Sequence, residues 1–203
     1  AALKKKNLNK KYKIISALSV FYDLRDPNKF LKDIKKILHK DGVFILEHAD
    51  LLSIIKNNLF DTICHEHLEY YSSKIIINMM LKNDLKVFDL KKNNANGGSI
   101  RYYISNKNSL YKTNYIKIST ILKEEKIFKL EEISTYKKFL KNIDNEKVKL
   151  NNFLNQKIKQ KMIIHGYGAS TKGNVLLQYF KIDNSKINFI ADRNPKKYNL
   201  YTP

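Results

Sequence analysis

The chain has 203 residues, enough for one or two domains with a buried core. It has no apolar run of about eighteen residues, and its N-terminal stretch, AALKKK, is charged without an apolar segment, so the sequence predicts neither a membrane span nor a signal peptide. The net charge of +20 favours weak polyanion binding, but all except three of the 39 basic residues are lysines spread along the chain, which argues against a specific nucleic-acid surface.

The first predicted elements are a strand and a helix. Residues 12–22 are apolar and β-branched, which is typical of a short buried strand. Asp26 and Pro27 suit the N-cap and first turn of an amphipathic helix over residues 27–39. Gly42 is predicted to end this helix in a left-handed cap.

A second buried strand is predicted over residues 43–47. Strand, helix and strand at this spacing indicate a parallel βαβ unit with a right-handed crossover. Ligands of such sheets bind beyond the carboxyl ends of the strands. The polar pairs Tyr22–Asp23 and Glu47–His48 follow or end the two strands, so we expect a ligand crevice there.

A cluster of titratable residues follows, made of His65, Glu66 and His67 with Tyr70 and Tyr71. An imidazole beside a carboxylate can serve as an oriented general base. The histidines are two apart rather than the four of a helical zinc motif, so a metal site is disfavoured. A polar loop that satisfies its own hydrogen bonds is the alternative to a catalytic role.

Another helix and two antiparallel strands are predicted next. The helix covers residues 73–81, and the strands cover residues 86–90 and 100–104. The loop between the strands contains Gly97 and Gly98. Paired glycines allow a ligand to approach the backbone closely, and they are equally compatible with a simple turn.

The last part of the chain changes character. Residues 109–160 are rich in charge with apolar residues at helical spacing, which predicts linking helices. A second α/β unit starts at Lys161, with strands over residues 162–165 and 187–192. Between them, GYGASTKGN (residues 166–174) turns into a helix whose N-terminus can bind an anion. Its third glycine is displaced from the dinucleotide fingerprint, so the spacing indicates NAD only weakly.

Several of these segments together resemble one enzyme family. DTICHEHLEYY (residues 61–71) and NGGSIR (96–101) look like the S-adenosylmethionine-dependent sugar C-methyltransferases, which act on nucleotide-linked keto sugars. Residues 19–27 and 41–47 resemble the later half of that family's class I methyltransferase domain. The segment at 166–174 resembles part of its C-terminal domain.

The resemblance implies an α/β fold in two parts. The first is the second half of a class I methyltransferase sheet, which is Rossmann-like, over residues 1–108. Residues 109–160 are then a helical linker, and residues 161–203 start a second Rossmann-like domain that binds substrate. Both α/β domains are expected to be truncated.

The resemblance also implies roles for individual residues. His67 is the expected base that removes a proton beside the ketone, and Glu66 orients it or contacts the sugar. His65, Tyr70 or Tyr71 could donate to the enolate oxygen, although His65 could equally be structural. Ser19 and Tyr22 are expected to contact the methyl donor. The expected substrate-binding residues are Tyr71, Gly97, Gly98, Ser99, Arg101, Gly168, Ala169, Ser170, Lys172 and Asn174.

The chain departs from the family pattern at two positions and in extent. Cys64 replaces a tyrosine, and Asp23 stands near the position of a histidine, which leaves the sugar and the methylated carbon open. The family's N-terminal zinc-binding domain and the first half of its methyltransferase domain, which holds the donor, have no counterpart in these residues. We therefore expect these residues alone to be inactive, and zinc to be bound only by that absent domain.

The expected ligands are S-adenosylmethionine and a nucleotide-linked keto sugar, with neither a specific nucleic acid nor a membrane as partner. Cys64 is the sole cysteine and cannot form an internal disulfide, which fits a reducing cytoplasm. Two other functions remain open at this stage. One is a Rossmann-type oxidoreductase using the glycine turn at residues 166–173, and the other is a noncatalytic nucleotide-sugar-binding module.

Overall fold

A computed structural model describes residues 10–202, so the N-terminal stretch that argues against a signal peptide lies outside the described residues. The chain divides into two compact units. The first contains residues up to Asn57 and the segment Glu66–Glu132, and the second contains Asn58–His65 and Ile133–Pro203. The predicted domain limits at residues 108 and 160 stay predictions.

The first unit is built on a four-stranded mixed sheet with the strand order β1-β2-β4-β3. The strands are β1 (Tyr12–Leu18), β2 (Leu38–Ala49), β3 (Leu85–Asn93) and β4 (Ser99–Asn106). β1 and β2 are parallel, and β4 is antiparallel to both β2 and β3. The parallel pair and the antiparallel pair predicted from the sequence are therefore confirmed.

The described residues of the first unit also form four α-helices. They are α1 (Pro27–Ile37), α2 (Leu51–Lys56), α3 (Ser73–Lys82) and α4 (Tyr115–Ile127). Ile34 of α1, Ile76 of α3 and Ile121 of α4 join the strand residues Phe44 and Tyr102 in one buried core. Burial of this apolar area is the main favourable term that holds helices and sheet together.

The start of α1 follows the prediction, but its end does not. The Asp26 side chain accepts a hydrogen bond from the Lys29 N–H at 2.8 Å and caps the helix, as predicted. The helix then ends at Ile37 without a left-handed glycine, and β2 begins at once. The predicted cap at Gly42 is wrong, because Gly42 lies inside β2, where a Cβ atom would come within 2.8 Å of the Tyr12 carbonyl oxygen.

Strand limits also differ from the predictions. β1 ends at Leu18, whereas the predicted strand extends to residue 22, and its last two residues belong to a short 3-10 helix, Phe21–Asp23. β2 begins five residues before the predicted strand and is irregularly paired with β1 between Tyr12 and Ile14. The irregular pairing interrupts the alternation of apolar and polar residues. The start of β2 at Leu38 could therefore not be predicted from the sequence pattern.

The second unit contains two helices and a two-stranded parallel sheet. Its elements are α5 (Ile133–Lys159), β5 (His165–Tyr167), α6 (Thr171–Phe180) and β6 (Phe189–Ala191). β5 begins at His165, the last residue of the strand predicted over residues 162–165, so the observed strand lies later in the chain than predicted. The helix after the glycine turn is confirmed. Within residues 10–202, no helix is both long and apolar enough to cross a bilayer.

Candidate active site

His67 lies at the carboxyl end of β1. The backbone N–H groups of Leu68 and Glu69 both donate to the Tyr22 carbonyl oxygen, at 3.0 and 3.1 Å. The His67 and Tyr22 rings have their centres 4.4 Å apart, and the Tyr70 ring centre is 6.4 Å from that of His67. The half-buried imidazole is thus fixed at the strand end where the sequence predicts a ligand crevice.

The residues just before His67 form a turn rather than an extended segment. His65 and Glu66 are exposed, and Cys64 is half-buried. The Cys64 N–H donates to the Thr62 carbonyl oxygen at 3.1 Å. The boundary between the two compact units falls between His65 and Glu66. The catalytic roles of His65, Glu66, His67 and Tyr70 stay predictions.

The backbone after β1 bends sharply at Ser19. This residue has φ 54°, a left-handed conformation that is unusual for a residue with a side chain. Its N–H donates to the Glu47 carbonyl oxygen at 2.9 Å, which ties the ends of β1 and β2 together. Non-glycine residues held in this region often occur at functional sites. Ser19, which forms this bend, and Tyr22, three residues later, are the two predicted contacts of the methyl donor.

The Gly97–Gly98 loop is held by the short helix α2. The Asp50 N–H donates to the Gly98 carbonyl oxygen at 3.1 Å, and the Asn57 side chain donates to the Gly97 carbonyl oxygen at 3.3 Å. Gly98 has φ 137°, and a Cβ atom there would meet the Ser53 Cβ at 2.6 Å. Gly98 is therefore required by both conformation and close packing.

Arg101 is anchored by a carboxylate on the neighbouring strand. Its Nε donates to Glu47 Oε2 at 2.7 Å, and the Asn93 side chain donates to the same oxygen at 3.0 Å. The hydrogen bond that Arg101 donates to Glu47 raises the pKa of Arg101, which therefore stays positively charged. Ser99, two residues earlier, is buried and its hydroxyl donates to the Ala95 carbonyl oxygen.

His48, Asp50 and Tyr71 form a buried polar cluster at the end of β2 that was not predicted from the sequence. His48 and Asp50 are 1% and 2% exposed at the end of β2. Tyr71, predicted to bind substrate, is buried between Phe21 and His48, with ring centres 5.2 and 5.9 Å away. The sequence indicated only the polar pair Glu47–His48 at the end of β2. Nothing in the spacing showed that Tyr71 packs against His48.

The second unit places the remaining predicted residues around the turn into α6. Ser170 caps this helix by accepting from the Gly173 N–H at 3.0 Å. The Ala169 N–H donates to Asp192 Oδ2 at 2.9 Å, and Lys197 contacts the same oxygen at 3.0 Å. Hydrogen bonds from the Asn194 N–H and from Lys197 lower the pKa of Asp192, so it is held as a carboxylate.

Two further features of this unit are a buried amide and a cavity. Asn174 Oδ1 is buried without a hydrogen-bond partner among the described residues. The cavity has a volume of about 1150 Å³ and is lined by Ala169 and Asp192 together with the chain after α6 and β6. Of the predicted substrate-binding residues, Ala169, which directly precedes the N-cap Ser170 of α6, is the one that lines it. Within residues 10–202, no group of three His, Cys, Asp or Glu side chains could hold a metal ion.

Comparison with known protein families gives two adjoining matches. A family model described as the C-methyltransferase C-terminal domain matches residues 94–203, and a methyltransferase-domain model matches residues 3–90. The first match covers more than half of the chain. The chain therefore belongs to the C-methyltransferase family, as the motifs indicated.

One curated relative is the C-methyltransferase NovU from Streptomyces niveus. It is 26% identical over 191 residues, which cover 94% of this chain and 45% of NovU. The chain thus spans less than half the length of this relative. The activity and the substrate of the whole protein are therefore proposals.

Two solved structures overlap with about half of the chain. An S-adenosylmethionine-dependent methyltransferase from Clostridium acetobutylicum is 16% identical, with a TM-score of 0.37 over 50% of this chain and 61% of its own. A possible histamine N-methyltransferase from Thermotoga maritima is 17% identical, with a TM-score of 0.37 over 48% of this chain and 59% of its own. Family membership rests on the sequence matches and not on these partial overlaps.

Proposed function

We propose that the complete gene product transfers a methyl group from S-adenosylmethionine to a carbon beside the ketone of a nucleotide-linked sugar. His67 is the base. The observation that carries this proposal is the position of His67, held at the carboxyl end of β1 against Tyr22 in a chain of the C-methyltransferase family. Carbon methylation needs such a base, since a C–H bond must ionise before the carbon can act as a nucleophile.

In the proposed reaction, His67 accepts the proton that the sugar carbon loses. The imidazole accepts the proton from the carbon beside the ketone, and the electron pair moves into an enolate. The enolate carbon would then bond to the methyl group of S-adenosylmethionine, and S-adenosylhomocysteine would leave with the electron pair of the broken sulfur–carbon bond. Positioning of the two reactants is the main further contribution of the protein. The Tyr22 ring and the hydrogen bonds of Leu68 and Glu69 to the Tyr22 carbonyl oxygen support a fixed imidazole.

Neighbouring polar groups suit the other needs of the reaction. A developing enolate oxygen is stabilised by a nearby hydrogen-bond donor. The Tyr70 ring, 6.4 Å from that of His67, brings a hydroxyl into this region, and His65 is the second candidate. Glu66, adjacent in sequence, is proposed to orient His67 or to contact a sugar hydroxyl.

Ser19 and Tyr22 are the residues of this chain proposed to hold the methyl donor. S-adenosylmethionine supplies the electrophilic methyl group. The bend at Ser19 and the half-buried Tyr22 ring offer a hydroxyl group and an aromatic face at the end of β1, which fits a ligand with a ribose and a base. We expect residues 1–203 alone to give no methyl transfer, since the segments that the family uses for most donor contacts are not among them.

We propose a nucleotide-linked keto sugar as the substrate that receives the methyl group. Arg101, anchored by Glu47, offers a positive charge beside the Gly97–Gly98 loop. In the second unit, the turn at Gly168, Ala169 and Ser170 precedes the N-terminus of α6 and suits a phosphate. Lys172 would add a positive charge to that site, and Asn174 Oδ1, an acceptor without a partner among the described residues, would accept a hydrogen bond from a sugar hydroxyl.

The direct test is turnover of the complete gene product with isotope-labelled S-adenosylmethionine and a set of 4-keto nucleotide sugars. Labelled methyl in the sugar carbon supports the proposal. Transfer to no sugar, combined with a fluorescence response to a nicotinamide cofactor, would instead favour an oxidoreductase. Tight binding of nucleotide sugars with neither signal would favour a noncatalytic binding module.

A further inference from the structure

Three polar atoms at the end of β2 are buried without hydrogen-bond partners among residues 10–202. They are His48 Nε2, Asp50 Oδ1 and the Tyr71 hydroxyl. Buried polar atoms are nearly always satisfied, because an unmet hydrogen bond costs free energy. Three such atoms close together in the chain's fold therefore point to a missing partner.

The three side chains belong to one cluster. The Tyr71 ring meets the His48 ring edge-on, with centres 5.9 Å apart, while the Tyr102 ring stacks on the other side of His48 at 5.5 Å. Asp50 is close enough for its charge to raise the pKa of His48, against a larger lowering by burial. The Leu51 N–H also donates to the Tyr71 carbonyl oxygen at 3.3 Å.

The hydrogen bonds already made define what each atom still needs. His48 Nδ1 is 2.8 Å from the Ala49 carbonyl oxygen, so Nδ1 carries the proton. Because burial lowers the pKa of His48, the ring is neutral and Nε2 is an acceptor. Asp50 Oδ2 accepts from the Ser53 N–H and hydroxyl, which leaves Oδ1 as a second acceptor.

Tyr71 supplies the complementary group. Burial raises the pKa of Tyr71 to about 12, so its hydroxyl keeps its proton and can donate. The missing partner must therefore offer two donors and one acceptor. A water molecule has this set, and buried waters typically make about three hydrogen bonds to otherwise unsatisfied groups.

We propose that an ordered internal water donates to His48 Nε2 and Asp50 Oδ1 and accepts from the Tyr71 hydroxyl. A metal ion does not fit, since the described residues hold no group of three suitable ligands. This proposal does not rest on the proposed reaction.

The water joins segments that carry the candidate site. Asp50 binds the Gly98 loop through its N–H, at 3.1 Å from the Gly98 carbonyl oxygen. Tyr71 directly follows Tyr70, and His48 directly follows Glu47, which anchors Arg101. His48, Asp50 and Tyr71 are thus positioning residues that fix these segments through one shared ligand.

The test combines crystallography and NMR on the complete gene product. A high-resolution crystal structure should contain a water within hydrogen-bonding distance of all three atoms. The ¹⁵N spectrum of His48 should be that of a neutral ring protonated at Nδ1. A dry cluster, or a ring protonated at both nitrogens and paired directly with Asp50, would overturn the proposal.

Two tyrosine variants provide a matched pair. Tyr71→Phe removes a donor to the water and should shift the His48 Nε2 resonance and lower the water's occupancy. Tyr102→Phe removes a hydroxyl that bonds the Ser73 hydroxyl directly at 3.0 Å, so it should leave both readouts unchanged. Equal effects of the two variants would contradict the proposal, and the wild-type measurements decide it if a variant does not fold.

Discussion

Gly98 combines two constraints that no other residue type meets. Its φ of 137° disfavours a side chain, and the Ser53 Cβ occupies the space that a Cβ atom would need. The sequence indicated close backbone approach at this glycine pair, but the expected neighbour was a ligand. The structure supplies a protein neighbour, Ser53 of α2, which is 45 residues away in sequence and could not be foreseen from spacing.

We predict that Gly98→Ala destabilises the loop by about 1–3 kcal/mol, because it adds backbone strain to a steric clash. Gly168→Ala is the control, since Gly168 has φ 90° but no atom within 4 Å of the position that an alanine methyl group would take, so it reports strain alone. Native-state hydrogen exchange of each loop is the measurement. Adding Ser53→Gly to Gly98→Ala should recover part of the loss. A double variant as unstable as the single one would contradict the clash.

His48 makes a prediction about pH. Burial lowers the pKa of His48 below its usual 6.5, so the unfolded chain takes up a proton more readily than the folded one. The free energy of unfolding should therefore fall as pH drops below 6.5 toward the lower folded-state pKa. In urea unfolding followed between pH ~5 and ~7, His48→Gln should flatten this fall. An unchanged pH slope in that variant would show that another group is responsible.

At the scale of elements, α3 and α4 are joined through a buried carboxylate. Glu125 of α4 accepts hydrogen bonds from the Ser73 and Lys74 N–H groups at the start of α3. Burial raises the pKa of Glu125, while these hydrogen bonds oppose the shift. The carboxylate thus serves two N–H groups of the first turn of α3 that have no partner within the helix, while the Ser72 side chain caps the Ile75 N–H.

Replacement of this carboxylate should loosen the start of α3. Glu125→Gln leaves one oxygen to serve two donors, and we expect a local loss of about 1–3 kcal/mol. Glu124→Gln is the matched control, since its exposed ion pair with Lys92 should contribute about 0–1 kcal/mol. Hydrogen exchange at Ser73 and Lys74 measures both variants. Faster exchange in Glu124→Gln than in Glu125→Gln would be inconsistent with the inter-helix cap.

Local sequence pattern predicted some features of the helices and strands correctly and others wrongly. Asp26 and Pro27 predicted the start of α1 correctly because capping is local chemistry. The end of α1 was predicted wrongly, because Gly42 is required by a close approach of the β1 backbone rather than by a helix cap. The βαβ order and the antiparallel β3–β4 pair followed from hydrophobic period and turns, but the buried His48–Asp50–Tyr71 cluster arises from contacts between distant segments.

At the scale of the whole molecule, two family models match adjoining stretches of the chain. The methyltransferase-domain match ends at residue 90, and the C-methyltransferase C-terminal match begins at residue 94. The segment with the two histidines was predicted as catalytic from its residue types and from motif resemblance. The sequence predicts this segment near the crevice at the strand ends, because it follows the second strand. Its contact with Tyr22 after β1 joins distant segments and could not be predicted from spacing. The role of each side chain there stays a prediction.

The measurement that tests the central claim most directly is proton exchange at the substrate carbon. The complete gene product would be incubated in D₂O with a 4-keto nucleotide sugar and S-adenosylhomocysteine, so that exchange reports the base without methyl transfer. Wild-type protein and the control His39→Gln, a histidine near the start of β2 and outside the candidate site, should exchange the proton beside the ketone, and His67→Gln should be slower by about 10²–10⁴-fold. Exchange at the wild-type rate in His67→Gln would contradict the assignment of His67 as the base.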